Sequence, residues 1–275
     1  MSRLALSLVA LLAAATPAAA QIVAPAGRTL FNEAVLVRSF VRFDAFDEAE
    51  KSGDVERWSN VWALVWGAYP HLSVSLVAPI VRVETARPAG LSRRTGTADP
   101  SLFVRYDALR KFAPSGYTRL SPEVGIQVPA GGAFGNGSTD LLAGLILSHV
   151  RDPDWWVADL QWTAPGEGDG GLRRGDCWRA DLAYLWRVLP RRGPGVPMVL
   201  LVAELNHETA ARSRRAGQAI ADSGGSVLFL SPGVEWIVAR RVVLELSAPI
   251  ALTSDLHGEQ PQPEGSLILK ARWLF

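Results

Sequence analysis

The chain has 275 residues, with 28 lysines and arginines against 27 aspartates and glutamates. So even a balance gives no electrostatic footprint for a nucleic acid, and a single cysteine, Cys177, excludes an intramolecular disulfide framework and a multi-cysteine metal site. Hydrophobic residues make up 48% of the chain, yet beyond the N-terminal stretch no apolar run approaches the ~18 residues of a membrane helix, so the apolar content must be divided among short segments.

The first segment, MSRLALSLVALLAAATPAAAQ, carries one cation at Arg3, an apolar run from Leu4 to Ala15, and Ala18-Ala19-Ala20 before Gln21. That is the layout of a secretory signal with an A-x-A cleavage site. We expect residues 1–20 to be removed on export, leaving one domain over 21–275. Arg3 leaves with the signal, and the remainder carries no net charge.

From Phe31 onward a period near two predicts strands over 31–44, 57–67, 71–83, 100–110, 119–129, 139–150, 154–164, 176–189, 196–207, 225–238, 241–252 and 264–275. In 119–129, Leu120, Val124, Ile126 and Val128 share one parity, and Arg119, Ser121, Glu123 and Gln127 the other. In 154–164, Trp156, Ala158, Leu160 and Trp162 oppose Asp159 and Gln161. In 176–189, Trp178, Leu182, Tyr184 and Trp186 oppose Arg179, Asp181 and Arg187. Side chains alternate sides along a strand, so each has one apolar and one polar face.

The connections alternate in length. Short ones fall at 69–70, 113–116, 151–153, 190–195 and 239–240; long polar ones fall at 45–56, 84–99, 130–138, 165–175, 208–224 and 253–263. Long loops on one side and tight turns on the other are the order of an outer-membrane barrel, and twelve strands is an even count. The fold expected is therefore all-β, a transmembrane antiparallel β-barrel of about twelve strands. The 208–221 stretch is expected to form a short helix over its mouth.

Tryptophans mark the height of the apolar band. Trp178 and Trp186 lie eight residues apart on one face, about 26 Å at ~3.3 Å per residue, close to the height of a lipid-facing band between two aromatic girdles. The expected interface aromatics are Trp156, Trp162, Trp178, Trp186, Trp236, Trp273 and Phe275. The chain ends on LILKARWLF, with Leu267, Leu269, Ala271, Trp273 and Phe275 on one face. That terminal strand is expected to close the sheet against the first one and to be recognised by the barrel-insertion machinery.

SPEVGIQVPAGGAFGNGSTDLLAGLILSH (121–149), SPGVEWIVARRVVLELSAPIAL (231–252) and GTADPSLFVRYDAL (96–109) resemble the strand-and-loop motifs of putative outer-membrane transporters of the MetA-pathway of phenol degradation type. The likeness spans most of the exported chain through loose motifs, and Ala98 replaces a glycine usual in the third. It implies passive passage of small solutes, aromatic or apolar compounds among them, through the outer membrane of a Gram-negative bacterium. The alternative is a plugged structural or surface-binding barrel.

The inward parity collects the candidate lumen-lining residues Arg105, Glu123, Asp159, Arg179, Asp181, Glu204, Glu245 and Arg272. Folding hairpins about their turns sets Arg105 opposite Glu123 and Glu245 opposite Arg272, with Asp159, Asp181 and Glu204 at similar heights and Arg179 nearby. Asp44, Asp47, Glu48, Glu50, Asp54 and Glu56 make the first long loop acidic. Arg87, Arg93, Arg94, Arg212, Arg214 and Arg215 make others basic, suited to lipopolysaccharide phosphates. Outer-membrane lipid and a small-molecule solute complete the expected partners, and no nucleic acid is among them. GEGDGG (166–171) fits G-x-G-x-x-G in letters only, since it joins two strands and opens no helix. With no G-x-S-x-G and no paired-histidine spacing among His71, His149, His207 and His257, neither an enzyme nor a cofactor or metal site is expected.

Overall fold

The computed structural model describes residues 34–47, 55–87, 90–190 and 197–275; the expected signal segment and most of the first acidic loop lie outside them. Twelve antiparallel strands follow in chain order: β1 (Val35–Asp47), β2 (Val55–Tyr69), β3 (Leu72–Arg87), β4 (Ser101–Tyr106, continuing as Leu109–Ala113), β5 (Gly116–Gln127) and β6 (Asp140–Arg151). Then come β7 (Asp154–Ala164), β8 (Cys177–Leu189), β9 (Met198–Ala210), β10 (Gly225–Ala239), β11 (Val242–Ser247, continuing as Ile250–Leu256) and β12 (Gln262–Leu274). Each pairs with its neighbours in sequence, and β12 pairs with β1 from Leu274↔Leu36 to Gln262↔Asp47. The barrel is closed, so no strand presents unpaired backbone to lipid.

Two strands are broken for identifiable reasons. In β4, the break after Tyr106 shifts the register on β5 by one residue at Asp107, which faces inward at 2% exposure and accepts from Ser121 Oγ at 2.7 Å and Arg110 Nε at 2.5 Å. In β11, Pro249 lacks the N–H a ladder needs. Its carbonyl accepts instead from Ser266 N at 2.9 Å.

Alternation is strict in β2. Val55, Arg57, Ser59, Val61, Ala63 and Val65 are buried inside, while Trp58, Trp62, Leu64 and Trp66 are exposed outside. The same split runs round the barrel, with Leu102, Val124, Leu145, Leu160, Leu182, Leu205, Leu246 and Leu269 exposed on the exterior. No described helix is long and apolar enough to cross a membrane. Nine of the ten tryptophans sit at outward parity, and the tenth, Trp155, points inward at 7% exposure. Trp162 and Trp178 are register partners with ring centroids 6.1 Å apart. Near the opposite rim, Trp156 lies 4.5 Å from Tyr184, and Trp186, Trp236, Trp273 and Phe275 occupy the ends of their strands.

Two long connections differ from expectation. Residues 84–99 are not an open loop: β3 runs on to Arg87, and Gly90–Thr97 folds back on it from Arg87↔Gly90 to Ile80↔Thr97. Residues 208–221 form no helix. β9 continues to Ala210, and Arg214–Arg215 then pairs with Gln218–Ala219 and with Leu172–Arg173. The turn is Ala216-Gly217, with φ of 46° and 81°. Two successive left-handed residues make the tight hairpin turn that a helix cannot contain.

Candidate functional site in the barrel interior

The inward side chains form three zones. A belt of ions crosses the middle, an apolar floor closes one side near the short-turn end, and a cavity opens at the long-loop end. In barrels of this kind the short turns are periplasmic and the long loops external.

In the belt, Arg105 is the register partner of Glu123, and its Nη2 lies 2.7 Å from the carboxylate. Asp159 and Asp181 are direct partners on β7 and β8, two carboxylates side by side. Glu204 sits two residues off that level, opposite Ala183. Amides bridge the like charges. Gln161 Nε2 donates to both Glu123 and Asp159 at 3.3 Å, and the Gln161 side-chain oxygen accepts from Arg179 at 3.2 Å. Asn206 Nδ2 donates to Asp181 at 3.0 Å and Glu204 at 3.4 Å. Glu123, Asp159, Arg179, Asp181 and Glu204 are all at most 6% exposed. Charges so far from water persist only when matched by counter-ions and donors.

The facing sector holds a second cluster. Here the expected register needs correction: Glu245 stands opposite Lys270, not Arg272, which is opposite Val243. The connection at 257–261 is too long to set register by itself. Arg272 is still in reach along the diagonal. It pairs with Glu245 and, at 2.9 Å, with Glu235, while Lys270 Nζ lies 3.0 Å from Glu245.

The floor was not legible in the charge pattern. Ile146, Trp155, Val157, Ala183, Leu185, Leu200 and Val202 form one buried cluster, with Val150, Met198 and Ile237 against it. All point inward from β6 to β10. Their only sequence signal is that the short-turn ends of these strands are apolar on both parities.

At the mouth, Asp44 is another correction. Expected in the acidic loop, it lies on β1 facing inward at 1% exposure. Its carboxylate accepts from Arg42 Nε at 2.5 Å, Arg57 Nη2 at 2.6 Å and Ser266 Oγ at 2.6 Å. Asp140, unexposed at the start of β6, accepts from Ser138 Oγ at 2.6 Å, from Gly166 N at 3.2 Å and from Arg174. Asp99 accepts the backbone N–H of Ala130 at 3.0 Å and Asn136 at 2.8 Å, tying down the β5–β6 loop. Above the barrel, hydrogen bonds from Arg93 and Arg82 hold the Glu84 carboxyl below the usual carboxylate range. Between Asp44 with its arginines on one side and Arg174 and Glu208 on the other lies a cavity of about 120 Å³, open to solvent. Cys177 lines it, with Sγ 3.9 Å from Glu208. Among the described residues, no cluster of histidine, cysteine and carboxylate side chains is arranged to hold a metal.

A closed barrel with an apolar exterior, aromatic rims and an ionic interior is a transmembrane β-barrel of the outer-membrane class. No family model matches the chain, and no curated protein sequence matches it. Solved structures do resemble it. An outer-membrane channel from Pseudomonas putida F1 superposes with a TM-score of 0.73 at 16% identity, covering 90% of this chain and 98% of that one. The NanC porin gives 0.53 at 8% identity over 87% and 98%. The β domain of the Bordetella autotransporter BrkA gives 0.52 at 11% identity over 89% and 100%. These likenesses establish the fold: the chain is an outer-membrane β-barrel.

Proposed function

We propose that this barrel carries small solutes passively across the outer membrane of a Gram-negative bacterium. The observation that carries the reading is the open cavity at the mouth of a barrel whose middle holds a belt of paired charges instead of a continuous apolar core. The likeness in fold to an outer-membrane channel supports it, as does the resemblance to transporters of the MetA-pathway type, from which an aromatic or apolar cargo follows. In this reading Arg105, Glu123, Asp159, Arg179, Asp181, Glu204, Glu245 and Arg272 line the path. Trp156, Trp162, Trp178, Trp186, Trp236, Trp273 and Phe275 seat the barrel in lipid, lipopolysaccharide meets the loops, and the terminal strand is read by the insertion machinery.

A second reading, a plugged barrel that binds at its surface without transport, draws on the floor, where Ile146, Leu185 and Leu200 have no exposure. Single-channel conductance in a planar bilayer separates the two. Transport predicts stable current, and neutralising Asp159, Asp181 and Glu204 together shifts its selectivity away from cations. Silence from a barrel shown to be inserted selects the plugged reading.

A further inference from the structure

The cavity at the mouth is asymmetric in its chemistry. On the β1–β2 wall, two arginines share one carboxylate. Arg42 gives Nε to Asp44 Oδ1 and Nη2 to Ser266 Oγ at 3.2 Å; Arg57 gives Nε and Nη2 to Asp44 Oδ2 at 2.9 and 2.6 Å. Asp44 thereby holds three guanidinium N–H groups and the Ser266 hydroxyl, leaving it no free acceptor geometry. Among the described residues, two cations against one anion leave a net positive charge on this wall, with the Nη1 groups of both arginines outside that network. The Arg42 side chain keeps 15% exposure and lines the cavity, as does Arg57. The same lining carries the apolar side chains of Phe46, Val227, Phe229, Leu256 and Pro263. On the far wall Glu208 faces the same space with Arg179 at 3.4 Å, and Arg174 is matched by Asp140. Among the described residues that line the cavity, the uncompensated charge is therefore confined to the Arg42–Arg57 side.

From this geometry we infer that the mouth is a binding site for an amphipathic carboxylate. Its anionic head accepts hydrogen bonds from Arg42 and Arg57, and its apolar body lies against Phe229, Val227 and Leu256. A planar, doubly accepting head matches the guanidinium fork. Apolar lining with a few convergent polar groups is how small-ligand sites are usually built. The inference rests on the transport reading for its purpose, since it makes the bound acid the cargo, but binding itself can be measured without current.

The test is calorimetric titration of the barrel, purified from outer membranes and held in lipid nanodiscs, with 3-phenylpropanoate and with its uncharged amide. The acid should bind at least about tenfold more tightly than the amide, the size of one charge-assisted interaction. Arg42→Gln should bring the acid down to the level of the amide and leave the amide unchanged, while Arg42→Lys should retain part of the difference. Phe229→Ala should weaken both ligands alike. Heat-dependent gel mobility verifies that each variant is a folded barrel. Equal binding of acid and amide, no binding of either to the folded parent, or an undiminished acid preference in Arg42→Gln overturns the site. Binding without conductance removes the transport reading and leaves the site; conductance without binding does the reverse.

Discussion

Two regions of the interior, the floor on β6–β10 and the mouth on β1, β2 and β12, are made of opposite materials. The floor is Ile146, Leu185 and Leu200 packed without exposure. The mouth is Asp44 held between Arg42 and Arg57, beside a cavity open to solvent. Outside, the barrel meets lipid, so apolar side chains there gain little from folding once the chain is in the membrane. Inside, the same residue types displace water and pack, which is where they stabilise. The floor thus contributes cohesion, whereas the mouth places its polar groups on a surface a ligand can reach. The belt between them has to be matched residue by residue, because its charges are almost fully buried.

That difference is open to attack at three strengths. The largest effect is expected in the belt. Glu245→Gln leaves Lys270 and Arg272 buried with one anion fewer, and breaking a buried ion cluster by removing one partner costs about 3–5 kcal/mol. Urea unfolding from lipid vesicles measures it. A midpoint within error of the parent would mean that the belt's charges are hydrated and not mutually dependent. The floor comes next: Leu200→Ala should cost about 2–5 kcal/mol through lost packing and the cavity left behind. Substituting Leu185 and Val202 as well should raise conductance if the floor is what narrows the path. An unchanged current in that variant would place the constriction in the belt. The smallest effect belongs above the barrel. Arg93→Ala removes an exposed hydrogen bond to Glu84, 2.9 Å long, and should leave the unfolding midpoint where it is. A clear drop there would show the outer hairpin to be part of the cooperative unit.

Much of this architecture was legible in the chain. All twelve strands fall where alternation put them, as the 154–164 and 176–189 segments illustrate with β7 at Asp154–Ala164 and β8 at Cys177–Leu189. The terminal strand pairs with β1 as its pattern implied. Counting back through the short turn at 113–116, around Pro114 and Ser115, comes within one residue of setting Arg105 opposite Glu123, because a tight turn leaves little freedom in register; the break in β4 supplies the remaining one-residue shift. Glu245 stands opposite Lys270 instead of Arg272, since the connection between those strands is long enough to leave the register open. Asp44 read as a loop acid because it stands last in the alternating segment 31–44 and opens the run of acids that follows, and only Arg57 and Ser266 on the adjoining strands explain why a carboxylate is tolerated there.

Period-two alternation, a local property of consecutive residues, was enough to define the strands, the lipid-facing and inward faces, and the long-loop and short-turn ends. It reports which way a side chain points and nothing about what it meets. The meetings are set between strands: the pairing of β10, β11 and β12 brings Glu235 to Arg272, and joining β12 to β1 places Phe229 and Arg42 on one cavity. Those contacts depend on register accumulated over several strands, and no single stretch of sequence contains that sum.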